Sequence, residues 1–366
     1  VEVVAPREHV VLRSRFVTRR HPAPPGASAD IVVRLAEQVL HDSARFDLVV
    51  FCDEPVLLSL QTPELDLPCC RARIPVPGMD TLACLTSKLR FQEATRGAGL
   101  PVPASAPIRD RNTVAEQARA QGYPLVVKQD TGNAGFDVRI VRSPEDLETA
   151  VRDLDGEGGL MLQAFIEGRL GTTDVLFDHG RPACWVSSFC LACLRDGTGP
   201  ATVRELTDAA RVEPLLNGLG VLTGFHGLAG IDWILPAGTD APVLIEMNPR
   251  PTPGYHLGPR CGVDFTTALG AVLAGETVTA PPEPPRPGLE TAYIFPTDLA
   301  TQIYRRSLGG MLSWLPFMPR ARDLPWHDPL LCLAALRKYL RNPLLHVCRE
   351  TFGARRKRCR APDCRP

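Results

Sequence analysis

The chain has 366 residues, 44% of them hydrophobic, and its 41 basic and 41 acidic side chains balance to zero formal charge. A chain of this length supports two or three domains with a large interior, and the even charge excludes a global field for nucleic acid, so the expected partners are small molecules. No apolar run reaches the roughly 18 residues that a membrane span needs, and the twelve cysteines lack the spacing of a disulfide framework; the expectation is a soluble, cytoplasmic protein with reduced thiols.

"VEVVAP" at the N-terminus reads as a short apolar strand without the strand and helix that ordinarily precede it in an α/β unit, so this first unit is expected to be incomplete. Residues 29–42 carry apolar positions at helical spacing, and "FDLVVFCDE" (46–54) is a continuous apolar run of the kind found in buried parallel strands. This is βαβ texture. Asp80 is placed to cap one helix through "TLACLTSKLRFQEATR", ended by Gly97 and Gly99 before Pro101.

"PLVVKQD" (124–130) and "FDVRIV" (136–141) read as strands around the loop "TGNAG", and Ser143 with Asp146 opens the next helix as a capping box. "LMLQAFIEG" and "TTDVLFDHG" follow as strands, each before a glycine turn, and two strand pairs around a helix indicate an α+β domain. Cys190 and Cys193 form the one CxxC; a zinc site would need two further ligands at suitable spacing, and the close pair Cys359 and Cys364 sits in a basic tail, so zinc is not expected there. The proline-rich "TAPPEPPRPG" marks a boundary, beyond which "TAYIF" reads as a strand, "PLLCLAALRKYL" as a helix, and residues 353–366 as a solvated basic tail.

"GIDWIL" (230–235) and "VLIEM" (243–247) flank the turn-rich "PAGTDAP", which predicts an antiparallel hairpin. If its centre is Thr239, Asp232 stands opposite Glu246, with Asn248 diagonally beside them on the same face. Opposed residues have Cβ atoms about 5 Å apart, so two carboxylates there repel unless a cation lies between them. An all-oxygen set on a half-open surface suits Mg²⁺; the alternative is an ordinary polar hairpin, against which the surrounding Ile231, Trp233, Leu244 and Met247 argue for burial. Of only four lysines, Lys128 ends a buried-looking strand beside "TGNAG" and Lys88 lies on the helix before it. Both suit phosphate, although each alone is equally compatible with a solvated surface charge.

Taken in order, "TSKLRFQEATRGAGLPVP", "YPLVVKQDTGNAGFDVRIV", "LMLQAFIEG" and "GIDWIL…VLIEMNPRP" resemble the ATP-grasp superfamily over about residues 48–270. The resemblance implies a partial Rossmann-like domain (1–78), an ATP-grasp fold of two α+β subdomains (79–277), a linker (278–289), a mostly helical extension (290–352) and the tail (353–366). It further implies that Lys88 and Lys128 hold the ATP phosphates and that Thr131, Gly132, Asn133 and Gly135 belong to a mobile loop covering them. Gln163, Ala164, Phe165 and Ile166 would form the hinge at adenine, with the Ala164 and Ile166 backbone groups meeting the base. Asp232, Glu246 and Asn248 would ligate Mg²⁺ (Mn²⁺ being the alternative ion), and Arg250 would face the transferring phosphate; His256 either orients an acceptor or carboxylate or packs near its turn.

Relatives of this type activate a carboxylate as an acyl phosphate for capture by an amine, are ADP-forming, and often form homodimers. The sequence departs from the pattern at Leu170, where an acid commonly meets the ribose hydroxyls and where Glu167 or Asp174 would have to substitute; its phosphate loop is also less glycine-rich than many. A bicarbonate-activating enzyme and a nucleotide-binding pseudoenzyme are the alternatives.

Overall fold

The computed structural model describes residues 1–41, 46–59, 79–110, 113–131, 137–154, 159–195, 198–208, 210–276, 278 and 290–341. Gly132, Asn133 and Gly135, all but the first residue of the proline-rich linker, and the basic tail lie outside the described residues.

The N-terminal unit pairs β1 (Glu2–Pro6) in parallel with β2 (Arg19–Ala23) and packs α1 (Ala29–His41) beside them. The strand expected over 46–54 does not form: residues 46–53 are irregular and lead into α2 (Glu54–Ser59). Their apolar side chains are nevertheless used, because Phe46, Val49 and Phe51 pack with Val33 and Leu40 of α1. A continuous apolar run reports burial, not backbone geometry.

The helix expected from Asp80 is two helices, α3 (Met79–Thr86) and α4 (Lys88–Gly97), and Asp80 lies in the first turn of α3 instead of capping it. Ser87 breaks the run and caps α4, accepting from the Arg90 amide at 3.2 Å, while its hydroxyl donates to the Asp130 carboxylate at 2.9 Å. The Leu89 amide donates to the same carboxylate at 2.8 Å. A side chain that offers the backbone an alternative partner stops the longer helix here.

The smaller sheet, entirely antiparallel, has the order β3 (Ser105–Ile108), β6 (Leu160–Ala164), β4 (Leu125–Gln129), β5 (Val138–Val141). Leu125, Val127, Leu160 and Leu162 face α5 (Val114–Gln121) and α6 (Pro144–Asp153) in one core. Strand alternation then turns Val126, Lys128, Met161 and Gln163 to the other face. Ser143 caps α6 as predicted, accepting from the Asp146 amide at 3.2 Å.

The larger sheet contains β7 (Gly168–Asp178), β8 (Arg181–Arg195), β9 (Thr198–Thr207), β10 (Gly227–Pro236), β11 (Val243–Asn248) and β12 (Thr291–Tyr293), in the order β11-β10-β7-β8-β9-β12. The expected extension strand is therefore an edge of this sheet. One face packs α4 and α7 (Glu213–Thr223) over Trp233, Phe177, Phe91, Leu216 and Leu219. The other packs the 3₁₀ helix Tyr255–Cys261 and α8 (Phe265–Leu273) over Leu176, Val186, Leu206 and Leu257.

Beyond β12, the helices α9 (Thr297–Tyr304), α10 (Leu308–Leu312) and α11 (Pro329–Arg341) return to the N-terminal unit, where Asp328 accepts from the Ser14 hydroxyl and, at 3.3 Å, from the Arg15 amide. No helix among the described residues is long and apolar enough to cross a membrane.

The β7–β8 turn seats directly on α7: a Cβ built at Gly220 would lie 1.7 Å from the Gly180 carbonyl oxygen, a backbone atom that cannot step aside. Gly220→Ala should therefore destabilise the protein by about 3 kcal/mol, measured by urea denaturation. Gly97→Ala, where a Cβ meets nothing within 4 Å, should be neutral or stabilising by up to about 1 kcal/mol.

Candidate active site

The β10–β11 hairpin aligns Asp232 directly opposite Glu246 and Gly230 opposite Asn248, as expected, but by an irregular route. Nearer the turn, Trp233 pairs with Leu244 and Ile234 with Val243, so a regular ladder would have faced Asp232 with Ile245. A bulge at Ile245 shifts the register by one residue and brings Glu246 to Asp232 instead. The bulge is held from outside the hairpin: Gln92 of α4 donates to the Ile245 carbonyl at 3.0 Å, and the Leu244 amide donates to the Pro101 carbonyl at 2.8 Å.

Both acids are half-buried, and Glu246 lines a cleft with Asn248 and Lys88. Burial, and then the Glu246 charge, push the Asp232 carboxyl up to about 7, although a Thr172 hydrogen bond opposes the shift. For Glu246 burial acts the same way, but Lys88 and Lys128 outweigh it and hold its pKa below the usual carboxylate value. Asn248 donates its side-chain amide toward Asp232 at 3.5 Å. Three oxygen-bearing side chains thus converge from one face of one hairpin.

Lys128 reaches this pair from the smaller sheet with only 7% of its surface exposed. Burial lowers its pKa to about 8, opposed by the nearby Glu246, so it stays mainly protonated at neutral pH. Lys88 arrives from the first turn of α4, which the Ser87–Asp130 contacts fix against the end of β4; its amide donates to the Asp130 carbonyl at 3.1 Å and its ammonium at 3.5 Å. A helix N-terminus adds positive potential at the same point.

Arg250 follows β11, donating to the Asn248 side chain at 3.4 Å with its guanidinium 3.9 Å from Glu54. Glu54, at the start of α2, lines the cleft with Lys88, Glu246 and Asn248. Burial raises its pKa, and Arg250 opposes that. Sequence reasoning did not reach Glu54. Its one signal is the acid pair Asp53–Glu54 closing an apolar run.

The other expected residues divide. Thr131 is exposed at the end of β4. Gln163 is buried and donates to Ser105 at 3.0 Å, which ties its side chain to the β3 strand, and the Ala164 amide donates to the Ala104 carbonyl at 2.8 Å, which removes that donor from nucleotide recognition. Phe165 and Ile166 are half-buried in the connection from β6 to β7, and Leu170 stands opposite Ile234.

Asp174 does not stand in for a ribose acid. It is 1% exposed, ion-paired with the 4% exposed Arg204 at 3.0 Å, and accepts from the Thr252 hydroxyl and the Gly254 amide. Glu167 is exposed. His256 stands on the 3₁₀ helix with part of its surface open to water; desolvation of the ring by the protein packed around it, and then the Arg204 charge, lower its pKa, so its imidazole is neutral at physiological pH. Cys190 and Cys193 bring their sulfurs to 2.9 Å on the bulged stretch of β8.

Because Asp232 is held protonated by the fold, its contribution to stability is complete below the ordinary carboxylate pKa and is lost as pH rises through about 7. In nucleotide-free and metal-free protein, Asp232→Asn should therefore gain stability relative to the parent between about pH 4 and about pH 7 and keep a constant difference above it. Urea midpoints across that range are the check, and a pH-independent difference would contradict the assignment.

Residues 85–254 match the family model described as an ATP-grasp domain. The D-alanine–D-alanine ligase of Geobacter sulfurreducens is 30% identical over 113 residues, 30% of this chain and 36% of that protein. The carbamoyl phosphate synthase large chain of Deinococcus radiodurans is 26% identical over 213 residues, 53% of this chain and 20% of that protein. The chain thus spans well under half the length of these curated relatives. Among solved structures, the biotin carboxylase domain of Hydrogenobacter thermophilus 2-oxoglutarate carboxylase, in complex with MgADP, ADP and bicarbonate, superposes with a TM-score of 0.59 at 18% identity, covering 77% of this chain and 66% of that one. Two antiparallel sheets facing one charged cleft, and a family match that runs through both, lead to one conclusion: residues 85–254 form an ATP-grasp domain.

Proposed function

We propose that the protein is an ATP- and Mg²⁺-dependent ligase that activates a small-molecule carboxylate as an acyl phosphate and passes it to an amine, releasing ADP and phosphate. The observation that carries this reading is the opposed Asp232–Glu246 pair, met by Lys128 and Lys88.

The donor set fits a hard divalent ion: Asp232, Glu246 and Asn248 offer oxygen, and the repulsion that raises Asp232 is relieved by a cation between the acids. Mg²⁺, when bound, supplies neutralisation of phosphate oxygens. The chain's own residues supply the rest. Lys128, desolvated and protonated, places a compact charge where phosphate oxygens would lie, and Lys88 adds a second from the α4 N-terminus. Arg250, held between Glu54 and Asn248, is preorganised to meet charge that develops as the phosphoryl group moves.

In the proposed reaction a substrate carboxylate oxygen attacks the terminal phosphorus and the bond to ADP breaks. The amine nitrogen then attacks the acyl carbon, phosphate leaves with the oxygen, and the amine gives up a proton. The neutral His256, beside Arg204, is suited to accept that proton or to orient the acceptor. The same pocket would hold bicarbonate equally by charge; that reading has in its favour the solved relative whose complex contains bicarbonate.

ADP release measured across pools of carboxylic acids, with and without amines, separates these readings. The expected result is release that requires both an acid and an amine and falls more than about 100-fold in Glu246→Gln. Release with bicarbonate and no amine would favour the carboxylase-like reaction, and nucleotide binding without release in any pool would overturn catalysis. Lys128→Ala should raise the ATP concentration required by at least about tenfold, and an unchanged requirement would remove Lys128 from the phosphate site.

A further inference from the structure

At the end of the large sheet away from the proposed active site, β7 and β8 join through the two-residue turn His179–Gly180, whose φ angles of 47° and 82° are those of a type I′ hairpin. The turn presents His179 outward beside Asp178, next to His226, which immediately precedes β10. Asp232 lies six residues further along, about 20 Å away at strand rise.

One oxygen organises the group. Asp178 Oδ1 is 2.8 Å from His179 Nδ1 and 3.6 Å from His226 Nδ1, and the two imidazole rings are 4.0 Å apart between centroids. The three ligand atoms all lie within 4.8 Å of one another. A tetrahedral ion with bonds of about 2.0–2.1 Å holds its ligand atoms about 3.3 Å apart, a separation the two measured distances bracket. The other Asp178 oxygen is turned to Arg181 at 3.4 Å, which leaves Oδ1 as the single carboxylate donor.

The segments that carry these side chains are fixed before any ion arrives. The Gly180 amide donates to the Phe225 carbonyl at 2.6 Å, and the turn abuts Gly220 of α7 with no room for a Cβ.

We propose that Asp178, His179 and His226 bind one divalent transition-metal ion of the zinc class, with water completing a tetrahedral shell, as a staple between the β7–β8 turn and the segment entering β10. Two imidazole nitrogens and one carboxylate oxygen suit zinc and its neighbours, not Mg²⁺. On loading, the His179 proton that faces Asp178 moves through solvent from Nδ1 to Nε2, so that the neutral ring offers its Nδ1 lone pair to the ion. The His226 Nδ1 lone pair moves from the His179 amide, 3.2 Å away, to the ion, and that exposed amide turns to water.

The test titrates the full chain with Co²⁺ in a Cys190→Ser/Cys193→Ser background and reads the visible d–d bands. One equivalent of tetrahedral Co²⁺, free of thiolate charge-transfer absorption and displaced by Zn²⁺ but not by Mg²⁺, is the expected result. His179→Asn keeps a residue suited to the turn and should weaken binding by more than about tenfold; His226→Ala should do the same. Unchanged binding in both variants, thiolate absorption that survives them, or no tetrahedral Co²⁺ in the parent would overturn the proposal. None of these readouts depends on ligase activity.

Discussion

The site depends on two carboxylates held face to face across an antiparallel hairpin. Asp232 and Glu246 are in register only because β11 bulges at Ile245, and the bulge persists only because Gln92 and Pro101 satisfy the backbone around it. Buried like charges at this separation are unfavourable by themselves. The fold answers by drawing positive charge toward them from two directions, Lys128 from the smaller sheet and Lys88 from the break between α3 and α4, and it sets Arg250 beside Asn248 and Glu54 on the strand's own continuation.

Each source of charge is placed by a different local rule. Lys128 points into the cleft because its neighbour Val127 points into the helix-covered core, an outcome of strand alternation alone. Lys88 is positioned by Ser87 and Asp130, whose hydrogen bonds end one helix and begin another at the edge of β4. Arg250 is braced by Glu54, which comes from a different unit of the chain. A second ion pair, Asp174–Arg204, stiffens the sheet behind the site; Gly254 has no side chain because a Cβ there would fall 1.8 Å from the Asp174 carboxylate.

Residues with fixed chemistry and short-range pattern were legible from sequence. The lysine at the end of an apolar strand, the paired acids in a hairpin and the capping serine of α6 each announced themselves by type and spacing. The Asp232–Glu246 pairing was reached by assuming a regular hairpin centred on Thr239, whereas the actual ladder begins half a residue earlier and the bulge restores the same pair. Asp174 illustrates the limit: an acid near the expected ribose position, it is consumed by Arg204, Thr252 and Gly254, none of which is near it in sequence. Residues 46–53 failed for a related reason, since apolar content decides whether a segment is buried and not whether it has a strand neighbour to pair with.

The sequence by itself determined the inventory of the site, namely which residues can carry a positive charge, ligate a hard cation or cap a helix, because those properties belong to the side chain and its immediate neighbours. The tertiary structure decided which of them meet. Glu54 joins Arg250 across nearly two hundred residues, Gln163 is turned inward to Ser105, and Asp178, His179 and His226 converge at a hairpin end far from the paired acids. Such juxtapositions follow from sheet order, bulges and glycine-permitted close approach, and these are properties of the packed chain that no local spacing encodes.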